Sequence, residues 1–248
     1  MRRLKRLYKR FVAPVLQIRP RNGAAFVPYF RDRSTYRKLG GQIDSLWPIL
    51  GEDTATTGID PHYFYQGAWA LRHIAGTRPV KHVDVGSQTD LIAHLPAIVP
   101  TSFVDLRPIT VTVPGLTVVR GSVLAMPFKD ESVVSLSCLH VVEHIGLGRY
   151  GDPLDPEGTR KACTELSRVL APGGQLYLSV PVGRERTEFN AHRIHHPETI
   201  IRYFETLRLE SFSGVNDQGV FVEHAKPKDY ETARYALGLF RFTRLKNS

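Results

Sequence analysis

Val83-Asp84-Val85-Gly86-Ser87-Gln88 is the stretch that decides the fold, because it predicts a strand ending in a ligand-binding turn. Its β-branched residues favour a buried strand, and the glycine lets the backbone pass close to a ligand. A helix predicted over Thr89–Ala97 offers free N–H groups at the same turn. The next predicted strand, Thr101–Val104, is followed by Asp105, 21 residues after the first strand's aspartate. At this spacing an acid binds a ribose diol.

Short β-branched runs alternate with helical stretches from Val80 onward, which predicts parallel strands joined by crossover helices. We therefore expect an α/β fold with a doubly wound, mostly parallel seven-stranded sheet and an N-terminal helical extension. The predicted strands are Lys81–Val85, Thr101–Val104, Leu116–Val119, Val133–Leu139, Gln175–Val180, Leu207–Ser213 and Gly219–Glu223. The predicted helices of this part are Pro61–Ala75, closed by Gly76, then Thr89–Ala97, Pro156–Leu170 and Pro197–Thr206.

The chain divides by charge into an extension, residues 1–58, and a domain, residues 59–248. Its net charge is +9, yet the first 40 residues hold twelve lysines and arginines against one acid, a net charge of +11. Residues 2–18 predict an amphipathic helix interrupted at Pro14, and residues 19–58 predict irregular structure. The helix would lie on an anionic membrane surface or pack on the protein body, and a transit peptide is a third interpretation.

The composition is that of a soluble globular protein, with 42% hydrophobic and 23% charged residues. Cys138 and Cys163 lie in apolar or helical patterns, so we interpret both as packing residues in a reducing compartment. No apolar run approaches the ~18 residues that span a bilayer, and no signal peptide is recognised. We expect a cytoplasmic protein, peripheral at the inner membrane face if residues 1–18 bind there.

Four segments of this chain occur in a characteristic order. They are the Val-Asp-Val-Gly loop, the acid that ends the second strand, the segment Ala125–Ser132 and the turn Leu170–Gly174. Together they resemble the class I S-adenosylmethionine-dependent methyltransferases, over roughly Val80 to Glu223. The run His140–Asp152 is similar to a little-characterised subgroup of that superfamily. The resemblance implies S-adenosylmethionine as the cofactor.

The resemblance also implies cofactor-binding residues. Those beside the methionine portion would be Asp84, Gly86 and Ser87, with His140 near the sulfonium, Asp105 at the ribose, Leu106 against the adenine, and Ser122 and Val123 at the adenine edge. Two positions depart from the family pattern. The loop continues Gly86-Ser-Gln-Thr-Asp90 where further glycines are usual, and Ser122 stands where aspartate is frequent. Both departures predict weaker cofactor binding.

An acceptor hydroxyl would need a base, and candidates follow the fourth and fifth strands. We rank His144 first and His195 second as the catalytic base, and Glu143 is a further catalytic candidate. The remaining candidates would bind substrate: Arg149, Tyr150, Asp152, Asn190 and Arg193. Alternatively, Glu143 and His144 cap the loop, and His192, His195 and His196 are surface residues. His140-x-x-Glu143-His144 also matches an inverted zinc-protease signature, but it stands at a strand end, so we expect no metal.

The sequence therefore favours a methyltransferase acting on a small-molecule or glycan acceptor. We expect O-methylation of a sugar or lipid-linked glycan hydroxyl, because the acceptor edge is rich in histidine and arginine. One alternative is a non-catalytic binding module with the same fold, suggested by the altered glycine loop. A nucleic-acid methyltransferase is the other, suggested by the basic N-terminus. The extension lacks interleaved stacking residues, so we expect no nucleic-acid partner.

Overall fold

The computed structural model describes residue 24 and residues 26–246. The chain divides into two compact units, Met1–Gly58 and Ile59–Ser248. The predicted amphipathic helix at residues 2–18 lies outside the described residues. No helix among residues 26–246 is long and apolar enough to cross a membrane.

The first unit contains a helix that the sequence analysis did not predict. Helix α1 spans Phe26–Lys38, where irregular structure was expected, and that prediction was wrong. Arg37 and Lys38 lie in its last turn, where positive charge interacts favourably with the helix dipole. None of the side chains of α1 is buried. Its apolar residues do not form the periodic stripe by which a helix is recognised in a sequence.

The second unit is built on an eight-stranded sheet with strand order β3-β2-β1-β4-β5-β10-β8-β9. The neighbouring strands from β3 to β5 pair in parallel, and the remaining pairs are antiparallel. The strands are β1 (His82–Val85), β2 (Thr101–Asp105), β3 (Leu116–Arg120), β4 (Val133–Leu139), β5 (Leu170–Val182), β6 (Arg186–Glu188), β7 (His192–Ile194), β8 (Arg208–Val215), β9 (Phe221–Val222) and β10 (Ala236–Thr243). The predicted doubly wound, mostly parallel sheet is confirmed, but it has eight strands and not the predicted seven, and β6 and β7 form a separate hairpin.

Four helices flank this sheet. They are α2 (Pro61–Thr77), α3 (Thr89–His94), α4 (Gly158–Val169) and α5 (Pro197–Tyr203). As predicted, Asp60 caps α2, and its carboxylate accepts hydrogen bonds from the N–H groups of His62 and Tyr63 at 3.0 and 3.3 Å. The predicted close at Gly76 was wrong. The helix ends at Thr77, two residues beyond the predicted Ala75, and Arg78 caps it in the left-handed conformation, with φ of 48°.

A hydrophobic core lies on each face of the sheet. One core packs Trp69 and Ile74 of α2 against Phe103 and Tyr177 of the sheet. The other packs α4 and α5 against the opposite face and includes Cys138 and Cys163. Both cysteines are buried and unpaired, which confirms that they are packing residues. These two cores fix the sheet, so the loops at its carboxyl edge are held on a rigid frame.

Strand β10 was not predicted, although it occupies a central place between β5 and β8. Its sequence, Ala-Leu-Gly-Leu-Phe-Arg-Phe-Thr, contains a glycine and an arginine that interrupt the apolar run. Gly238 is required by packing, because a Cβ there would lie 2.6 Å from Cε2 of Phe240 and 2.8 Å from Cγ1 of Val182. Gly238 therefore hides the strand in the sequence pattern, and the packing of the strand requires it.

Candidate functional site

A cleft opens at the carboxyl edge of the sheet, beyond the ends of β1, β2 and β4. Its inner cavity encloses about 260 Å³. The structure brings together six of the predicted cofactor-binding residues in its lining: Gly86, Asp105, Leu106, Ser122, Val123 and His140. Ligands of open parallel sheets bind at this edge, near the change in strand order. The order here reverses between β1 and β4.

Asp84 and Ser87 lie beneath the loop after β1 and do not line this cavity. The Asp84 carboxylate accepts hydrogen bonds from N and Oγ of Ser87, at 3.1 and 2.7 Å, and from Oγ of Ser137. Oγ of Ser87 in turn accepts a hydrogen bond from the N–H of Leu139 at 3.1 Å. The two residues therefore hold the turn against β4 rather than presenting polar atoms to a ligand.

Burial raises the pKa of Asp84 to about 6, although hydrogen bonds from Ser137 and Ser87 lower it. The unfolded chain releases this proton near pH 4. Between about pH 4 and 6 the folded state binds more protons, so the free energy of unfolding falls as the pH rises. We expect urea titrations of wild type to show this decline, on the order of 3 kcal/mol.

Asp84→Asn should lack that decline, and Asp229→Asn, at an exposed aspartate, should keep it. Parallel stability curves for wild type and Asp84→Asn between pH 4 and 7 would show that the carboxyl is not perturbed.

The loop at Gly86 does not need the further glycines that its family pattern led us to expect. Gly86 has φ of +66°, and a Cβ there would lie 3.2 Å from Cγ1 of Val141. No residue from Ser87 to Asp90 has a positive φ. Ser87 turns its side chain inward, so the backbone of the turn stays open to the cavity. The altered sequence therefore fits the turn without strain.

Asp105 lines the inner cavity and keeps one carboxylate oxygen free of donors among the described residues. Its Oδ1 accepts a hydrogen bond from the N–H of Arg107 at 2.6 Å, and Oδ2 accepts none from the described residues. Oγ of Ser122 accepts a hydrogen bond from the N–H of Leu124 at 3.1 Å. Leu106 and Val123 supply apolar walls. The free carboxylate oxygen can accept hydrogen bonds from a diol beside the glycine turn, and the apolar walls can pack against a planar base.

A second cavity, of about 460 Å³, adjoins the first and shares Gly86, His140, His144 and Tyr150 with it. The rest of its lining is Tyr63, Gln88, Leu139, Arg149, His192 and Tyr235. The cleft is therefore continuous from Asp105 to this second space, which we call the acceptor cavity.

Glu143 lies fully buried between two histidines of the acceptor cavity. Its Oε1 is 2.6 Å from Nδ1 of His140 and 3.7 Å from Nε2 of His144. Burial raises the pKa of Glu143, but attraction to both histidines and the His140 hydrogen bond outweigh burial, so the net pKa is lowered. The carboxylate is therefore ionised near neutral pH and can stabilise a positive charge on either ring.

His144 is fixed in one tautomer by the hairpin of β6 and β7. Its Nδ1 lies 2.7 Å from the carbonyl oxygen of Ala191, so Nδ1 carries the proton and donates it in this hydrogen bond. In the neutral ring, Nε2 then has a free lone pair. His144 lines both cavities, so the ring lies where they meet.

Besides Asp84, Ser87 and the buried Glu143, three more predicted site residues line neither cavity. His195, the second choice as base, is 3% exposed and contacts the ring of Tyr203, with 6.4 Å between ring centroids. Arg193 is buried and donates to the carbonyl oxygens of Ile145 and Asp155 at 2.6 and 3.1 Å, which closes the loop after β4. Asn190 is exposed at the hairpin tip. Of the two base candidates, His144 lines the cleft and His195 does not. Arg193 stabilises the loop through its hydrogen bonds.

The other predicted substrate-binding residues do line the cleft. Asp152 faces the first cavity, but its carboxylate accepts hydrogen bonds from the N–H groups of Gly146 and Tyr150, at 2.6 and 3.3 Å. It therefore shapes the loop. Tyr150 lines both cavities, and the guanidinium groups of Arg107 and Arg149 lie over its ring, 4.4 and 5.1 Å from the centroid.

Tyr63, His192 and Tyr235 are lining residues that the sequence analysis did not assign to the site. Rings of these residues form a column with two further histidines, with centroid separations of 5.0–5.6 Å, in the order His192, Tyr235, His62, His140 and Tyr63. The aromatic start of α2 was a usable signal for Tyr63. Tyr235 immediately precedes β10, so missing that strand concealed it.

Gly146 controls how the loop carrying His144 closes. It has φ of +84°, and a Cβ there would lie 2.0 Å from the carbonyl oxygen of Asp155. Gly151, in the same loop, has φ of +83° but nothing within 4 Å of the equivalent position. Gly146→Ala should therefore lower the free energy of unfolding by about 3 kcal/mol or more, and Gly151→Ala by about 1 kcal/mol. Urea titration of both variants measures the difference, and equal losses would contradict the close approach.

No group of three or more His, Cys, Asp or Glu side chains is placed to hold a metal ion, within the part of the chain that the structure describes. The inverted zinc-protease signature at His140–His144 instead places Glu143 between two imidazoles.

One family model matches the chain. It is described as "Caenorhabditis protein of unknown function, DUF268", and it matches residues 129–238. This region runs from before β4 into β10 and includes Glu143, His144 and the hairpin. No curated protein sequence matches the chain.

Solved structures match more of the chain, at low identity. The N-methyltransferase NodS from Bradyrhizobium japonicum WM9, in complex with S-adenosyl-L-homocysteine, is 14% identical, with a TM-score of 0.53 over 78% of this chain and 93% of NodS. A putative methyltransferase, BH2331 from Bacillus halodurans C-125, is 16% identical, with a TM-score of 0.52 over 72% of this chain and 98% of its own.

A third solved structure, the [4+2]-cyclase SpnF, is 14% identical, with a TM-score of 0.50 over 71% of this chain and 80% of SpnF. A cyclase among the matches shows that the fold alone does not decide the activity. These likenesses agree with the strand order and the cleft described above. The chain from Ile59 onward therefore has the Rossmann-like fold of class I S-adenosylmethionine-dependent methyltransferases.

Proposed function

We propose that the protein is an S-adenosylmethionine-dependent methyltransferase. The observation that carries this proposal is the cleft itself, in which the free Oδ2 of Asp105 lies beside the glycine turn and opens toward a base candidate. NodS, which shares the fold, was crystallised with S-adenosyl-L-homocysteine. S-adenosylmethionine carries an activated methyl group, so the protein has only to bind and align the two reactants.

The residues of the inner cavity fit this cofactor. Asp105 would accept hydrogen bonds from the two ribose hydroxyls, because a carboxylate oxygen without a protein donor is available there. Leu106 and Val123 would enclose the adenine. The backbone at Gly86 would border the methionine portion, where any side chain would crowd Val141.

In the acceptor cavity, His144 would act as the base. Its Nε2 would take the proton of an attacking hydroxyl group, leaving both ring nitrogens protonated. The ring would then be cationic, and the ionised carboxylate of Glu143, 3.7 Å from Nε2, would stabilise that charge. The hydrogen bond from Nδ1 to Ala191 holds the ring in place during the transfer.

We further propose that the acceptor is a hydroxyl of a sugar or of a lipid-linked glycan. Support comes from the acceptor cavity, whose tyrosines, histidines and arginine offer hydrogen bonds and ring faces to a polar ring. Transfer of radiolabelled methyl groups to extracted lipid-linked glycans tests this proposal. Transfer only to RNA or to protein would refute it.

The basic segment 1–18 adds a proposal from the sequence, namely contact with an anionic membrane surface. Its apolar stripe and basic face are typical of helices that lie in the headgroup region. The full chain should float with anionic phosphatidylserine vesicles and not with neutral ones. A matched gel shift with RNA should show no binding, and RNA binding with a steep salt dependence would favour a nucleic-acid partner instead.

Isothermal titration of the folded protein with S-adenosylhomocysteine tests the cofactor proposal directly. We expect saturable binding of one equivalent. Absence of binding by protein that unfolds cooperatively would leave the non-catalytic binding module as the function of this fold.

A further inference from the structure

The acceptor cavity continues past Tyr235 and His192 into a third cavity of about 470 Å³. We call the acceptor cavity and this third cavity together the acceptor groove. The residues that only the third cavity contributes are Arg186, Glu188, Asp217 and Arg234. The groove therefore extends well beyond the space that a single reacting hydroxyl needs.

The carboxylates of the groove are already engaged. Oε1 of Glu188 accepts a hydrogen bond from Nε of Arg186 at 2.9 Å. Asp217 accepts hydrogen bonds from the N–H groups of Arg234 and Tyr235, at 2.8 Å each. Burial raises the pKa of Asp217, but these two hydrogen bonds, together with attraction to Arg234 and His62, outweigh burial, so the net pKa is lowered. Neither carboxylate pairs with a second arginine.

Two arginines of the groove have no such partner. Nη1 of Arg149 donates to the carbonyl oxygen of Ala191 at 3.0 Å, and its guanidinium group stacks over Tyr150. No carboxylate of the described residues lies within salt-bridge distance of the guanidinium group of Arg149 or Arg234. The two backbone hydrogen bonds to Asp217 hold the segment that carries Arg234 at the groove.

The side chains next to the two arginines add no negative charge to the groove. Burial lowers the pKa of His192 and raises the pKa of Tyr235 to about 12. Both groups are therefore uncharged near neutral pH, and they line both the acceptor cavity and the third cavity. A guanidinium group binds carboxylates and phosphates through paired N–H donors, and it does so most strongly where it has no internal partner.

We propose that the methyl acceptor carries a negatively charged group, a carboxylate or a phosphate, which Arg149 and Arg234 bind while Nε2 of His144 meets the reacting hydroxyl. This inference rests on the proposed methyltransferase function and narrows its substrate class to an acidic or phosphorylated sugar. The charged group selects and orients the acceptor, so a neutral sugar of the same shape lacks the main binding contact.

Three probes of similar size test this inference: glucuronate, glucose 6-phosphate and glucose. Titrated into the full chain saturated with S-adenosylhomocysteine, at least one charged probe should bind tenfold or more tightly than glucose. Arg149→Gln and Arg234→Gln should each weaken charged-probe binding about tenfold and weaken glucose binding by a smaller factor. The stronger of the two charged probes identifies the anion as carboxylate or phosphate. Arg202→Gln, at an exposed arginine of α5 that lines neither cavity, is the matched control.

Equal binding of glucose and the charged probes would overturn the inference, as would the absence of charged-probe binding at millimolar concentration. Undiminished charged-probe binding by a variant that carries both Arg149→Gln and Arg234→Gln would overturn it too. S-adenosylhomocysteine affinity is measured in each variant. A loss confined to that affinity in Arg149→Gln would assign this arginine to the cofactor instead. If wild type fails to bind S-adenosylhomocysteine yet binds charged probes through the arginines, the methyltransferase function fails and the anion site stands.

Discussion

Asp105→Ala is expected to weaken S-adenosylhomocysteine binding by about 100-fold or more. The carboxylate would accept hydrogen bonds from both ribose hydroxyls, and hydrogen bonds to a charged group contribute about 1.5–3 kcal/mol each. Oδ2 has no donor among the described residues, so the free site is ready for the diol without breaking an internal contact. Isothermal titration of the variant against wild type measures the change.

The conservative variant Asp105→Asn sharpens this test. Asparagine keeps one acceptor oxygen, so it can still receive the N–H of Arg107 but cannot receive a charged bidentate contact from the diol. We expect its affinity to lie between those of wild type and Asp105→Ala. Asp229→Asn, far along the chain at an exposed turn, should bind as wild type does. Unchanged S-adenosylhomocysteine affinity in a cooperatively folded Asp105→Ala protein would show that Asp105 does not bind the ribose.

The parallel half of the sheet could be predicted because each strand is a short β-branched run bounded by turn residues. The bounds of β4, Val133–Leu139, agree with the prediction at both ends. Strand β10 could not be predicted in this way. Its glycine and arginine break the apolar run, and the glycine is explained by neighbours such as Val182 and Phe212, which are distant in sequence.

The sequence also predicted the same kind of role for two aspartates that the structure separates. Asp84 is the second-last residue of β1, and Asp105 is the last residue of β2. Asp84 pairs in register with Ser137 of β4, whose hydroxyl donates to its carboxylate from 53 residues away. Asp105 has no such neighbour and keeps a free oxygen at the cavity. The difference comes from strand pairing, which a pattern within one loop does not contain.

The sequence could not decide between His144 and His195 either, because the deciding contacts are distant in sequence. Both histidines follow strands at the correct edge, so chain position gave neither a clear advantage. The hairpin of β6 and β7 turns back between them, and its Ala191 carbonyl orients His144 while His195 packs against β5 and Tyr203. A three-residue pairing of this kind leaves little trace in hydrophobic periodicity.

His144→Ala is expected to lower kcat about 10²- to 10⁴-fold with little change in S-adenosylhomocysteine affinity. General base catalysis by one positioned side chain contributes in this range. The ring stands at the junction of the two cavities, with Nδ1 fixed by Ala191 and Nε2 3.7 Å from the buried Glu143. Removing it should therefore affect proton removal from the acceptor more than cofactor binding. The measurement is methyl transfer from radiolabelled S-adenosylmethionine to the glycan acceptor.

A matched histidine separates catalysis from a general loss of imidazole. His94 is exposed on α3, and its Nδ1 also contacts a backbone carbonyl, that of Asp90, at 2.6 Å. His94→Ala should leave kcat unchanged. Added imidazole should restore part of the activity of His144→Ala, because a free base can enter the space that the ring leaves. If His144→Ala instead loses cofactor affinity and activity in equal measure, and imidazole restores neither, the ring shapes the cleft and does not remove the proton.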